Sequence, residues 1–183
     1  VSQLPIPRLA HEQIALVSGL LAQYIRSQQV RHAPRAIPLS REQKGAMAGF
    51  FLPQLIDDTR LLVLRGERVA NPEFYPMLRN WGFNNLPDQS RMAAITFSDK
   101  VVSHVHFTDG LLFHELVHVE QYRQLGIARF AELYVHGFVN GGSYEAIPLE
   151  VNAYALGGRF ESNHAQHFSV REEVAAWIAE NRF

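Results

Sequence analysis

Nothing constrains this chain more than the run Leu111-Leu112-Phe113-His114-Glu115-Leu116-Val117-His118-Val119. A helix stacks residues i and i+4 on one face, so His114 and His118 would lie one above the other with Glu115 beside the first. The apolar residues around them require that helix to be largely buried. Two imidazoles and a carboxylate in an apolar setting are costly unless something pairs with them. A divalent cation does so directly. The plain alternative is a core helix whose histidines are satisfied by backbone or neighbouring side chains. Either way, the fold has to be built around this helix.

The rest of the chain sets outer bounds. A length of 183 residues suits one domain, 1–183, large enough to bury a core without staples. With 47% hydrophobic and 19% charged residues the composition is that of an ordinary globular protein. A net charge of −1 supplies no broad pull toward nucleic acid or an anionic membrane. Cysteine is absent, which removes disulfides, thiol nucleophiles and Cys-based zinc sites. No apolar run reaches the ~18 residues of a membrane span. The sequence opens at Val1 with no basic and apolar leader, so the expectation leans to a soluble, cytoplasmic protein, with oligomeric state left open.

Periodicity predicts a helix from about Leu9 to Gln28, through Ile14, Val17, Leu20, Leu21, Tyr24 and Ile25. Residues 30–38 read as a connector. Ser40 with Gln43 forms a capping box for a short helix running to Pro53, completing a helical N-terminal part over 1–60. Leu61-Leu62-Val63-Leu64 reads as a buried strand. Residues 66–91, rich in Gly, Pro and aromatics, read as a long loop packed on itself or, alternatively, as a substrate-facing lid. Residues 92–97 and 101–105 predict a hairpin around the three-residue loop Ser98-Asp99-Lys100. Its second strand would carry His104 and His106 on one face, as a surface pair or an accessory metal or substrate contact. Asp109 is the expected cap of the His114 helix and Gly126 its C-terminal stop. A short helix over 127–136, a break at 137–142, a helix from Pro148 to Phe160 and a last helix capped by Ser169 with Glu172 complete the outline. The fold class expected is α+β: a mainly helical single domain with a small antiparallel sheet next to the HExxH helix.

A catalytic zinc takes three protein ligands and keeps one position open for water. Glu145 and Glu150 compete for the third place beside His114 and His118. Glu150 is preferred because it sits in the first turn of a helix, on a rigid element whose N-terminus favours an anion.

HExxH followed by a Glu that opens a later helix resembles the gluzincin group of zinc metallopeptidases, thermolysin-like enzymes among them. A closer match is to small bacterial proteins of unassigned function with the pattern HELVHxxQY…IPLExxAY, here His114 to Tyr122 and Ile147 to Tyr154. The resemblance covers residues 92–160 and implies a minimal zincin-like core there. It implies His114, His118 and Glu150 as ligands of one Zn2+, and Glu115 as general base. Many relatives carry Asp four residues after the ligand Glu, where it steadies a zinc-bound His; this chain has Tyr154, which brings no carboxylate charge. Gln121, one turn beyond His118, could take that supporting part or be an ordinary exposed helical residue.

The expected chemistry is hydrolysis of a peptide or protein substrate: zinc makes hydroxide available near neutral pH and Glu115 moves the proton to the leaving amine. Tyr144 and His136 are candidates to stabilise the oxyanion, Tyr144 being the one retained. An extended substrate could add to the edge of the 92–105 hairpin. Three rivals stand beside this reading. One is a non-catalytic zinc-binding or pseudo-peptidase interaction protein. Another is a di-iron carboxylate protein using the second ExxH, Glu161 to His164. The third is a zinc hydrolase acting on a cell-wall amide or small acylated molecule.

Overall fold

Strong local signals become helices in the computed structural model, which describes residues 8–182; what was expected at Val1, across 1–7 and at 183 lies outside them. The first apolar period forms α1 (His11–His32), longer at its C-terminal end than its periodicity indicated, and buries Val17, Ala22 and Ile25. Where only a connector was expected, a 3-10 turn (Ala33–Arg35) leads into a two-residue strand, β1 (Ile37–Pro38). Pro38 is tolerated there because β1 is an edge strand. Helix α2 (Arg41–Met47) carries the expected capping box: Ser40 Oγ accepts from Gln43 N at 3.2 Å and Gln43 Oε1 from Ser40 N at 2.8 Å. It stops before Pro53, at a turn where Gly49 takes φ 87°, and Pro53 opens a separate helix, α3 (Pro53–Asp58). Proline suits a first helical turn, so it starts a helix here and does not end one.

The sheet differs from expectation. Strands β2 (Arg60–Val63), β3 (Ala94–Phe97) and β4 (Lys100–Ser103) join β1 in the order β1-β2-β4-β3, with β2 and β4 parallel and the other two pairs antiparallel. The sheet is therefore mixed, not antiparallel. A parallel pair needs a long connection and two covered faces. Residues 64–99, β3 among them, supply the connection, and the burial pattern supplies the faces. Leu61 and Val101 enter one hydrophobic cluster, Leu62, Val102 and Phe97 the other. The β3–β4 turn has two residues, Ser98 and Asp99, with Ser98 at φ 62°. Segment 66–91 packs into the core through Tyr75, Leu78 and Phe83 and contains a short helix, α4 (Tyr75–Asn80). It is packed structure, and its Tyr75 and Gln89 also line the cavity beside Glu115. Strand β4 ends at Ser103, so His104 and His106 do not share a strand face. His104 instead bridges loops: Nδ1 donates to Met92 O at 2.6 Å and Nε2 accepts from Val69 N at 3.0 Å.

Helix α5 (Asp109–Gly141) is capped by Thr108, whose Oγ1 accepts from Leu111 N at 3.2 Å; Asp109 is its first residue, not its cap. Gly126 interrupts it at φ 72°, ψ 162°, a conformation essentially reserved for glycine. The second half continues past 136, through Gly137, a glycine required by the close approach of α6 (Pro148–Ser162): a Cβ there would come within 2.5 Å of Pro148 Cδ. Gly142, at φ 74°, ends the helix. A last helix, α7 (Val170–Ala179), starts at Ser169, whose Oγ accepts from Glu172 N.

Two apolar clusters flank α5 and the sheet, making one α+β domain. One holds α1, the second half of α5 and the inner aromatics; the other holds α2, α3, the first half of α5, α6 and α7. Phe113 stacks on Phe160 at 4.3 Å between ring centroids, locking the first half of α5 to α6. Truncating such a ring costs about 3–5 kcal/mol. Among the described residues no helix is long and apolar enough to cross a membrane.

Candidate metal centre

On α5, helical spacing places the rings of His114 and His118 with their centroids 4.8 Å apart. Opposite them, Ile147 ends the incoming loop and Pro148 fixes the first turn of α6, so that Glu150 projects from that turn toward both rings. The three ligand-type atoms form a nearly equilateral triangle. His114 Nε2 and His118 Nε2 are 3.2 Å apart, and Glu150 Oε2 lies 3.4 Å from the first and 3.3 Å from the second. A tetrahedral site with ligand distances of about 2.0–2.1 Å has edges of about 3.3–3.4 Å. This is the only group of three or more metal-ligand side chains among the described residues.

The donor set also fits a cation electrostatically. Glu150 is buried, and the fully buried Oε2 accepts no hydrogen bond. Two ring nitrogens and a carboxylate oxygen thus crowd one point with nothing positive between them. Without a metal a proton takes that place. Burial opposes charge on His118, but Glu150 beside it prevails and its pKa is pushed up to about 9. Burial likewise opposes the Glu150 charge, and the His118 and His114 rings overcome it, holding the carboxyl well below its ordinary range.

The supporting contacts come from three elements. Gln121, 0% exposed, accepts from His118 Nδ1 through Oε1 at 2.8 Å. Its Nε2 donates to Leu149 O at 3.0 Å and Asn152 Oδ1 at 2.9 Å on α6. That bond keeps the proton on Nδ1 and leaves Nε2 free to bind a metal. The expectation left Gln121 open between support and exposure; the structure makes it a buried bridge. Glu115 is buried beside the triangle, and Thr96 Oγ1 on β3 donates to its Oε2 at 2.7 Å. Thr96 escaped sequence reading because nothing local marks a strand threonine as the partner of a helix nineteen residues on. Tyr154 is 55% exposed, its ring 4.6 Å from that of His114. It covers the imidazole by contact, where a carboxylate would have hydrogen-bonded it.

Other candidates sort themselves by position. Glu145 is exposed in the loop and outside the group. Tyr144 lines the space around Glu115, and burial, then the Glu150 carboxylate, drives its pKa upward. His136 lines neither cavity beside the triangle. In the second ExxH, Glu161 is exposed at the end of a groove and the His164 ring packs on Phe160 at 4.4 Å.

Two spaces adjoin the triangle. An open groove of about 400 Å³ runs between residues 92–94, at the start of edge strand β3, and Gly157, Gly158 and Glu161 of α6, with His114 and Glu115 among its lining. A cavity of about 70 Å³ lies on the other side, bounded by Glu115, His118, Glu150 and five tyrosines, 24, 75, 122, 134 and 144. Compared with family models, with curated proteins and with solved structures, the chain matches none.

Proposed function

We propose that this protein is a zinc-dependent hydrolase of peptides, following the gluzincin pattern. What carries the reading is the triangle of His114, His118 and Glu150 at tetrahedral edge spacing, with Glu115 beside it and a groove along an edge strand leading to it. His114, His118 and Glu150 would hold the ion. When bound, zinc supplies a Lewis acid and brings the pKa of a water ligand toward ~7.

The chain's own groups do the rest. One oxygen of Glu115 is held by Thr96, leaving the other to take a proton from the attacking water and hand it to the leaving amine. Tyr144 keeps its proton and is positioned to donate to the oxyanion that develops on the scissile carbonyl. The unpaired edge of β3 offers main-chain hydrogen bonds to an extended substrate, and the glycines opposite leave room for its side chains.

The test pairs metal analysis with turnover. Zinc-loaded protein should hold one ion per chain and cleave members of a broad peptide panel. Glu115→Gln should keep the ion and lose at least about 10²-fold in kcat/KM. The second reading, a metal protein without catalysis, is favoured by Tyr154, which brings a ring and no charge to His114. It prevails if the wild type, fully loaded, cleaves nothing in the panel.

A further inference from the structure

The cavity behind the metal group carries more chemistry than the proposed reaction uses. It shares Met92, Ala94, Glu115 and Tyr144 with the open groove, so a chain lying in the groove passes its mouth. Its sides are aromatic and aliphatic: Leu21 and Ile25 of α1, Phe97 of β3 and Phe130 of α5. Into this apolar shell are set hydroxyls that the protein leaves unsatisfied. Tyr24 donates its proton to Ala70 O at 2.8 Å, but the hydroxyls of Tyr122 and Tyr134 have no hydrogen-bond partner among the described residues. Gln89 Nε2 donates to Tyr75 OH at 3.5 Å, which leaves the Tyr75 proton and the Gln89 carbonyl oxygen for a guest. The Tyr122 and Tyr134 hydroxyls are not among the fully buried polar atoms, so they stay reachable, and a wall that carries them is complementary to something that hydrogen-bonds.

Three properties narrow the guest. A cavity of roughly 150 Å³ holds a benzene ring. At about 70 Å³ this one admits a shorter arm and no ring. No Lys or Arg lines it, while Glu115 and Glu150 do, so a carboxylate would enter against two charges with no cation of the chain to meet it. An ammonium would find aromatic faces, but it offers donors only and leaves the free phenol protons without an acceptor. A purely aliphatic arm would strand the free hydroxyls.

We propose that this cavity is a side-chain pocket taking a short uncharged arm that ends in a carboxamide, its carbonyl accepting from Tyr122 and Tyr134 and its N–H groups donating toward Gln89. The assignment rests on the hydrolase reading above, and makes the preferred substrate a peptide with an asparagine- or glutamine-like side chain next to the bond that is cut. Tyr122 and Tyr134 are its specificity-determining residues.

Binding tests this without turnover. Zinc-loaded protein is titrated calorimetrically with a matched set of hydroxamates whose short arms end in a carboxamide, a carboxylate, an isopropyl or a phenyl group. The carboxamide should bind about tenfold more tightly than the isopropyl compound, with the phenyl and carboxylate compounds weakest. Tyr122→Phe and Tyr134→Phe, made singly so that each keeps its ring, should each shrink that preference. Equal affinities across the set, or an isopropyl or phenyl arm preferred, overturn the pocket while leaving the hydrolase reading in place. Carboxamide selectivity in a protein that cleaves no peptide upholds the pocket and removes the hydrolase reading. Absence of any zinc-dependent hydroxamate binding overturns both.

Discussion

Gln121 shows what a single buried amide accomplishes at the residue scale. One oxygen sets the tautomer of His118, and one nitrogen grips Leu149 O and Asn152 Oδ1 on the facing helix. The ligand and the element that delivers Glu150 are thereby tied through the same side chain. Gln121→Leu keeps the volume and removes all three bonds. It should weaken zinc binding about 10- to 100-fold in a chelator competition. It should also lower stability by about 1–3 kcal/mol in denaturant titration, because Asn152 Oδ1 and His118 Nδ1–H lose their partner in a buried place. Unchanged zinc affinity would mean that His118 needs no partner at Nδ1. The histidines and Glu150 were legible as a constellation because each lies on a helix whose phase the sequence declares. The part played by Gln121 was not, since its α6 partners are 28 and 31 residues away and helix phase does not say which facing residues it meets. The contacts of Thr96 and His104 were hidden for the same reason: their partners come from other elements.

At the scale of elements, the break at Gly126 determines what surrounds the metal group. An uninterrupted α5 would carry residues 127–141 straight on; the turn at Gly126 instead lays Phe130 against Tyr122, ring centroids 3.8 Å apart, and brings Tyr134 to the cavity wall. Its φ and ψ are open to almost no residue with a side chain, although a Cβ there would touch nothing. Gly126→Ala therefore isolates backbone strain from crowding and should cost about 1–3 kcal/mol, read from the shift in denaturation midpoint at constant slope. A loss near zero would show that the break adjusts freely. Glycine and proline punctuation was legible here because its physics is local: Gly126, Pro148 and the Ser40 and Ser169 caps all mark real boundaries. It misled at Pro53 and Gly137. Proline ends some helices and begins others, and a helical glycine can answer to a neighbour such as Pro148 as well as to its own backbone. The parallel β2–β4 pairing was not legible at all, because a buried strand advertises its burial and not the direction of its neighbour.

Across the whole molecule, stability and metal binding should be linked through pH. In the metal-free protein the His118 pKa, ordinarily 6.5, is raised to about 9: burial works against the charge, but Glu150 overcomes it. The folded state therefore holds a proton that the unfolded chain has released. The stabilisation is complete below about pH 6.5 and disappears as pH rises through 9. Glu150 behaves oppositely: its depressed pKa stabilises the fold above the ordinary carboxyl range and is lost only in strong acid. Thermal melts of chelator-treated protein should thus fall in Tm between about pH 6.5 and 9, while zinc, displacing that proton, should bind more tightly as pH climbs over the same window. A flat metal-free profile would mean that the triangle is not held together by a shared proton.

The cavity and the metal group are also unequal in where they come from. His114, His118 and Glu150 belong to α5 and α6, whereas Leu21, Tyr24 and Ile25, which close one side of the cavity, belong to α1 at the other end of the sequence. Inheritance can act on these two parts separately. Substitutions along one face of the first helix can reshape the cavity while the three donors stay as they are, so on the proposed reading a lineage built on this plan can change its diet without rebuilding its chemistry.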